Sequence, residues 1–280
     1  MTMMQERLKQ QARIVAAEAG HRLQREVANT VREAAEEVGV FIEDLSYVGY
    51  ATLFGEDYFA FNPVLLEKME QEASGKIGES IARFESACKS KGISYKVHLD
   101  KGVPVNELVH ESLFADLIVI GYRTFFSNVL GEASFIKDIL IDAQCPVMAV
   151  PDQFQPIQNL LLTFDGRTQS VYAMKQFTQL FPDLVKELST TLLSITKTKE
   201  ESLEYEDLLK EYLSIHYQQI KYESLAGMAE DAIMNVASQM TNPLIVMGAF
   251  SRSGVSRFFS RSAASKLLKE QSLPVFVSHK

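Results

Sequence analysis

The chain has 280 residues, 46% of them apolar, and its 36 acidic and 28 basic side chains give a formal net charge of −8, which disfavours nucleic-acid binding. No apolar run reaches the about 20 residues of a membrane helix, and the charged N-terminus lacks a signal-peptide segment, so we expect a cytoplasmic protein without membrane contact. Only two cysteines, Cys88 and Cys145, and no CxxC or Cys/His cluster, indicate neither a disulfide framework nor a zinc site.

The first segment of the chain leaves two interpretations open. Residues 4–38 are rich in Ala, Glu, Gln and Arg, which favour a helix. Their apolar residues form a helical stripe: Leu23, Val27, Val31, Ala34 and Val38. The alternative is a short strand over residues 13–17 with a turn at 19–21. A strand is predicted next, over residues 40–48.

An aromatic-rich insertion follows at residues 49–66. It is either a loop that packs its own aromatic side chains or a lid or dimer contact. The next predicted helix spans residues 70–91, with Ile77, Ile81 and Phe84 on one face. A further helix is predicted at 105–113.

Two segments of the chain then show a repeat. Residues 115–121 form an apolar run that ends in Gly121, and Cys145-Pro-Val opens a second run. Residues 242–248 and the Leu273-Pro-Val run repeat this pattern, with spacings of 24 and 25 residues between glycine and run. The offset of 127 residues between Gly121 and Gly248 predicts two copies of a whole domain, at 1–150 and 157–280, joined by a Pro-containing linker at 151–158.

The second copy shows the element order most clearly. Its predicted strands are 160–164, 187–196, 217–223, 244–247 and 275–277, and its predicted helices are 168–181, 200–214, 228–240 and 262–270. The short, β-branched apolar runs suit strands that are buried on both faces. Alternating strands and helices therefore predict two doubly wound α/β domains, each with a mainly parallel five-stranded sheet.

The residues around the repeated glycines resemble the universal stress protein family. That family has the pattern G-x2-G-x9-G-[ST] after its fourth strand, and its ATP-binding members use this loop for the phosphates and the ribose. The resemblance covers residues 36–150 and 157–279. It implies a Rossmann-like, adenine nucleotide alpha hydrolase-like fold, ATP with Mg²⁺ as the ligand, and pairing of the domains across their last strands. In a two-domain chain this pairing gives an intramolecular pseudo-dimer, and a homodimer of chains is a further expectation.

The resemblance also implies nucleotide-binding residues. In the second domain they are Thr163, Asp165, Gly166, Met247, Gly248, Ser251, Arg261, Ser262 and Ala263. In the first domain they are Gly121, Thr124, Ala133 and Ser134. Each copy keeps one of the three glycines: Ser251 and Arg261 replace two in the second copy, and Thr124 and Ala133 replace two in the first. The added side chains occupy space that the phosphates would need.

Several of these residues have a second interpretation. Asp165 and Ser262 suit helix capping as well as ligand binding. Tyr122, Phe125 and Phe126 indicate either core packing or an apolar-ligand pocket. The basic residues at 252, 257, 261, 266 and 269 indicate either an anion site or a solvated helix face. No histidine pair has catalytic spacing, and Cys145 suits a buried structural thiol.

The leading expectation is a non-catalytic stress-response protein with weak or lost nucleotide binding that acts through protein contacts. One alternative is an ATP-binding sensor with slow hydrolysis at the second domain. The other is a carrier of an apolar or anionic small molecule.

Overall fold

The computed structural model describes residues 13–17, 36–44, 63–122, 132–151, 155–198, 201–248 and 273–278. The strands in these ranges are β1 Arg13–Ala17, β2 Glu36–Asp44, β3 Tyr95–Gly102, β4 Leu117–Gly121, β5 Val147–Val150, β6 Asn159–Phe164, β7 Ser189–Thr196, β8 Ile220–Ala226, β9 Pro243–Gly248 and β10 Val275–Ser278. The helices are α1 Pro63–Lys91, α2 Pro104–Ser112, α3 Glu132–Asp142, α4 Thr168–Leu180, α5 Leu184–Glu187, α6 Glu206–His216 and α7 Ala229–Ala237.

The ten strands form one sheet in the order β3-β2-β1-β4-β5-β10-β9-β6-β7-β8. Every neighbouring pair of these described strands is parallel except β5 and β10, which pair antiparallel with Phe276 opposite Met148. Strands β6 to β10 repeat the order of β1 to β5. The predicted α/β fold with a mostly parallel sheet is confirmed, and the domain limits at 1–150 and 157–280 stay a prediction.

The central strands of the sheet are apolar and buried on both faces, whereas the edge strands β3 and β8 are partly exposed. In β4, Ile118 and Ile120 join one buried cluster, whereas Leu117 and Val119 join the cluster on the opposite face. Helices α2, α3 and α7 contribute to the first cluster and α4 to α6 to the second. Helices on both faces thus leave the ends of the strands as the edge where a ligand site is expected.

The first segment contains a strand, which decides between the two interpretations. Strand β1 lies between β2 and β4 and pairs parallel with both. The extension of the helical stripe to Val38 is wrong, because β2 begins at Glu36 and Val38 is fully buried in the sheet. Pairing with two neighbours outweighs the helix propensity of the local sequence.

Other boundaries differ from the predictions for identifiable reasons. Helix α1 begins at Pro63, inside the predicted insertion at 49–66, since proline suits the first turn of a helix. Helix α6 begins at Glu206 and not at residue 200. The preceding Leu203 is buried in the core, and Tyr205 adopts a left-handed backbone with φ 65°. Strands β7 and β8 each begin two or three residues later than predicted, at Ser189 and Ile220.

Several predicted features lie outside the described residues. They are the turn at 19–21, the helical stripe over 23–34, most of the aromatic insertion and the helix at 262–270. The apolar face predicted for α1 is confirmed, since Phe84 is buried with Ile77 and Ile81 packed beside it. No helix in the ranges described combines the length and the apolar content that a membrane span requires.

Candidate functional site

The candidate site lies at the carboxyl ends of β6 and β9, which are neighbours in the sheet. Asp165 and Gly166 directly follow β6, and Gly248 ends β9. Open α/β sheets bind ligands at this edge. The predicted residues Ser251, Arg261, Ser262 and Ala263 lie outside the described residues.

The carboxylate of Asp165 is held by the residues that start helix α4. Its Oδ1 accepts a hydrogen bond from the backbone N–H of Arg167 at 3.2 Å. The Ser170 hydroxyl lies 3.0 Å from the same oxygen and 2.8 Å from Arg167 O, so its single proton is shared between two acceptors. Oδ2 of Asp165 lies 3.8 Å from Nε of Arg167. The side chain is only 3% exposed. A negative charge is favourable beside the N-terminus of a helix, so Asp165 stabilises the entry into α4.

The two glycines of the site bring backbone segments into close contact. A Cβ added at Gly248 would lie 2.6 Å from the backbone N of Ser170, so the first turn of α4 packs directly on the end of β9. Gly166 has φ +80°, and its Cβ position lies 3.4 Å from the side chain of Leu203. Gly248 is thus explained by packing and Gly166 by its left-handed backbone. Leu203 lies against the turn that follows Asp165.

Thr163 and Met247, two further predicted residues, lie inside the sheet. The Thr163 hydroxyl donates to the carbonyl oxygen of Val246 at 3.2 Å, which links β6 to β9. Thr163 has no exposed surface and Met247 is 1% exposed. Of the predicted residues that are described, the structure therefore brings Asp165, Gly166 and Gly248 together at the edge and buries the other two.

In the first half of the chain, an aromatic side chain occupies the corresponding place. Tyr122 follows Gly121 at the end of β4 and is 1% exposed. Its backbone N–H donates to Val150 O at 2.9 Å, and its hydroxyl donates to Leu273 O at 2.8 Å. The core-packing interpretation of Tyr122 is confirmed. Burial raises the pKa of Tyr122, so the hydroxyl keeps its proton and remains a donor.

Of the other residues predicted for the first domain, only two lie in the described part of the chain. Ala133 and Ser134 lie in the first turn of α3, whose bounds are Glu132–Asp142. Thr124, Phe125 and Phe126 lie outside the described residues.

Sequence reasoning missed two groups of polar residues. The first is Ser170, whose hydroxyl lies close to the Asp165 carboxylate. The only sequence signal for this contact is the place of Ser170 in the first turn of α4. The second is a buried pair on the opposite end of the sheet, where the Cys88 thiol donates to Oε2 of Glu37 at 3.6 Å. Burial raises the pKa of Glu37 to about 7 and that of Cys88 to about 12. No sequence signal marked this pair, because Glu37 precedes the strand predicted at 40–48.

Metal binding finds no support in these contacts. Among the described residues, no three His, Cys, Asp or Glu side chains are grouped so that they could hold a metal ion. Cys145 is buried, and desolvation raises its pKa to about 12, which suits the structural thiol predicted from the sequence.

Comparison with known proteins supports the resemblance. The model of the universal stress protein family matches residues 162–279. The universal stress protein Slr1230 of Synechocystis sp. is 26% identical over 166 residues, which are 57% of this chain and 56% of that protein. The alignment thus spans little more than half of the relative. The crystal structure of a universal stress protein from Archaeoglobus fulgidus shares the fold, with a TM-score of 0.62, 14% identity and coverage of 97% of both chains. Residues 162–279 are thus similar in sequence to the universal stress protein family, and the chain as a whole shares the fold of a universal stress protein.

Proposed function

We propose that this protein is a non-catalytic stress-response protein that binds nucleotide weakly or not at all and acts through contacts with other proteins. The match of residues 162–279 to the universal stress protein family, and the similarity to a universal stress protein of Synechocystis sp., support the role in stress response. The observation that carries the rest is the state of Asp165. Its buried carboxylate accepts a hydrogen bond from the Arg167 N–H, lies within hydrogen-bond distance of the Ser170 hydroxyl and is flanked by the Arg167 guanidinium.

A nucleotide that used Asp165 would have to compete with these contacts. Hydrogen bonds to a charged group contribute about 1.5–3 kcal/mol each, so releasing the carboxylate from α4 has a substantial cost. Leu203 adds a second obstacle, because it packs against Gly166 on the turn that a ribose would approach. Both features favour a structural role for this edge.

The alternative function is an ATP-binding sensor with slow hydrolysis at the second domain. It is supported by the convergence of Asp165, Gly166 and Gly248 at the carboxyl edge of neighbouring strands. It requires Asp165 and Ser262 to face one phosphate-sized space, with Mg²⁺ beside the phosphates and Arg261 turned aside.

The proposal also includes the cellular location and the assembly of the protein. We place it in the cytoplasm, with two domains of one kind that form an intramolecular pseudo-dimer. The antiparallel pairing of β5 with β10 and the repeated strand order support this arrangement. A homodimer of chains is an extension of the same idea.

The proposal is tested by thermal unfolding of the wild type and of Asp165→Asn, each with and without ATP and Mg²⁺. The substitution keeps the shape of the side chain and removes its charge. We expect it to lower the free energy of unfolding by about 2 kcal/mol, and ATP to leave both unfolding curves unchanged. Asp183→Asn is the matched control, because Asp183 is exposed and its side chain makes no capping hydrogen bond. Stabilisation of the wild type by ATP that disappears in Asp165→Asn would establish the sensor instead.

A further inference from the structure

Helix α6 carries an apolar stripe on its solvent side. Leu208 is 66% exposed and Ile215 is 74% exposed, whereas Tyr212 is partly buried between them. Residues 208, 212 and 215 follow one another at the i, i+4, i+7 spacing of a single helix face. Tyr205, 44% exposed, extends the same face at the N-terminal end of the helix.

This stripe is distinct from the face that anchors the helix. Leu209 and Leu213 are buried in the core cluster and hold α6 on the sheet. Tyr212 packs against the same cluster at its edge, whereas Leu208 and Ile215 do not. These two side chains therefore add exposed apolar surface that folding does not require. Exposed apolar side chains that line one helix face are a feature of interaction sites.

The charges beside the stripe are acidic. Asp207 and Glu211 are exposed, and Glu211 lies between Leu208 and Ile215 on the helix surface, three and four residues from them. In the part of the chain that the structure describes, neither carboxylate has an ion-pair or hydrogen-bond partner.

The lysine of the helix contacts residues on its other side. Nζ of Lys210 lies 3.1 Å from Oε1 of Glu206 and 5.7 Å from the ring centroid of Tyr222 on β8. Its ammonium group thus lies beside Glu206 and Tyr222 and does not pair with Asp207 or Glu211. The exposed surface of α6 combines apolar side chains with unpaired negative charge.

We propose that this face of α6 is a docking site for an amphipathic helix of another protein, with apolar side chains on one face and Lys or Arg beside them. Apolar anchors at i, i+3 or i+4 and i+7 fit the stripe, and basic flanks pair with Asp207 and Glu211. A second copy of the chain is a poor occupant, because it would bring the two acidic flanks together. An anionic membrane surface would be repelled for the same reason. The inference rests on the proposed action through protein contacts and names the class of partner.

The test uses the full chain and two synthetic helical peptides with the same apolar face. One peptide has Lys at its flanking positions and the other has Glu. Fluorescence anisotropy measures the affinity of each. We expect the Lys peptide to bind the wild type, to bind Leu208→Ser/Ile215→Ser at least about tenfold more weakly, and to lose affinity as salt is raised. The Glu peptide is expected not to bind.

Two variants make the result specific. Glu211→Lys should weaken binding of the Lys peptide and create binding of the Glu peptide, since it reverses a flanking charge and leaves the apolar stripe in place. Phe114→Ser is the matched control, because Phe114 is 72% exposed but follows α2 in the other half of the chain. It should bind the Lys peptide as the wild type does.

Several outcomes would overturn the inference. One is equal affinity of the wild type and the Leu208→Ser/Ile215→Ser variant for the Lys peptide. Another is equal weakening by Phe114→Ser. A wild-type dimer in sedimentation that Ile215→Ser dissociates would assign the face to a second copy, and binding to vesicles of anionic lipid that the same change abolishes would assign it to a membrane. None of these results depends on nucleotide, so they are separable from a failure of the proposal on ATP.

Discussion

Replacing Glu37 by Gln should remove a pH dependence from the stability of the protein. Glu37 is 5% exposed at the start of β2, and its carboxylate accepts a hydrogen bond from the Cys88 thiol on α1. Tyr95 of β3 is its register partner, and Glu85 lies near enough to Cys88 to raise the thiol pKa. None of these neighbours is a cation, so burial dominates and raises the pKa of Glu37 to about 7 from 4.5.

The sign and the size of the effect follow from linkage. Between these two pKa values the folded chain keeps the proton that the unfolded chain releases, so the free energy of unfolding falls as pH rises from about 4.5 to about 7. A tenfold change in the protonation constant corresponds to about 1.4 kcal/mol. The wild type should therefore lose about 3 kcal/mol of stability over this range through Glu37 alone.

Urea unfolding at about pH 5 and about pH 8 measures this loss. The wild type should lose about 3 kcal/mol of stability between the two pH values through Glu37, and Glu37→Gln should not have this loss. The variant should therefore gain about 3 kcal/mol relative to the wild type at the higher pH. Glu43→Gln is the control, because Glu43 lies on the same strand, partly exposed and paired with Lys101. Glu43→Gln should lose as much stability between the two pH values as the wild type does. A pH dependence that is the same in Glu37→Gln and in the wild type would refute the reasoning.

Two further substitutions test the packing described above. Gly248→Ala should lower the free energy of unfolding by roughly 1–3 kcal/mol, because the new Cβ would lie 2.6 Å from the backbone N of Ser170. The exposed Gly78→Ala on α1 meets nothing within 4 Å and should be neutral or stabilising in the same urea titration. Tyr122→Phe should cost about 1–2 kcal/mol by leaving Leu273 O without its donor. Wild-type stability in Gly248→Ala or in Tyr122→Phe would contradict the corresponding contact.

The sequence predicts best the strands whose residues suit only one conformation. Strands β4, β5, β9 and β10 are continuous apolar runs, and their predicted limits agree with the structure within about two residues. Strand β1 could not be decided from its own residues, because they suit a helix and a strand alike. Its conformation depends on pairing with β2 and β4, whose residues lie far away in the sequence.

The candidate site was predictable in position but not in its contacts. Asp165-Gly166 after an apolar run indicates a strand end and a turn, and the structure has both. That Ser170 holds the carboxylate and that Leu203 covers Gly166 are results of tertiary packing. Neither contact has a spacing that a sequence pattern would reveal. The same limit applies to Tyr122, whose partner Leu273 is 151 residues away.

The most direct test of the account is a calorimetric titration of ATP with Mg²⁺ into the wild-type protein, combined with its thermal unfolding at millimolar ATP. We expect no binding heat and no rise in the unfolding temperature, because the Asp165 carboxylate is held by residues at the start of helix α4. A micromolar dissociation constant would contradict it. Such binding would stabilise the protein by about 4 kcal/mol at millimolar ATP, and its loss in Asp165→Asn would identify the carboxyl edge of β6 as a working nucleotide site.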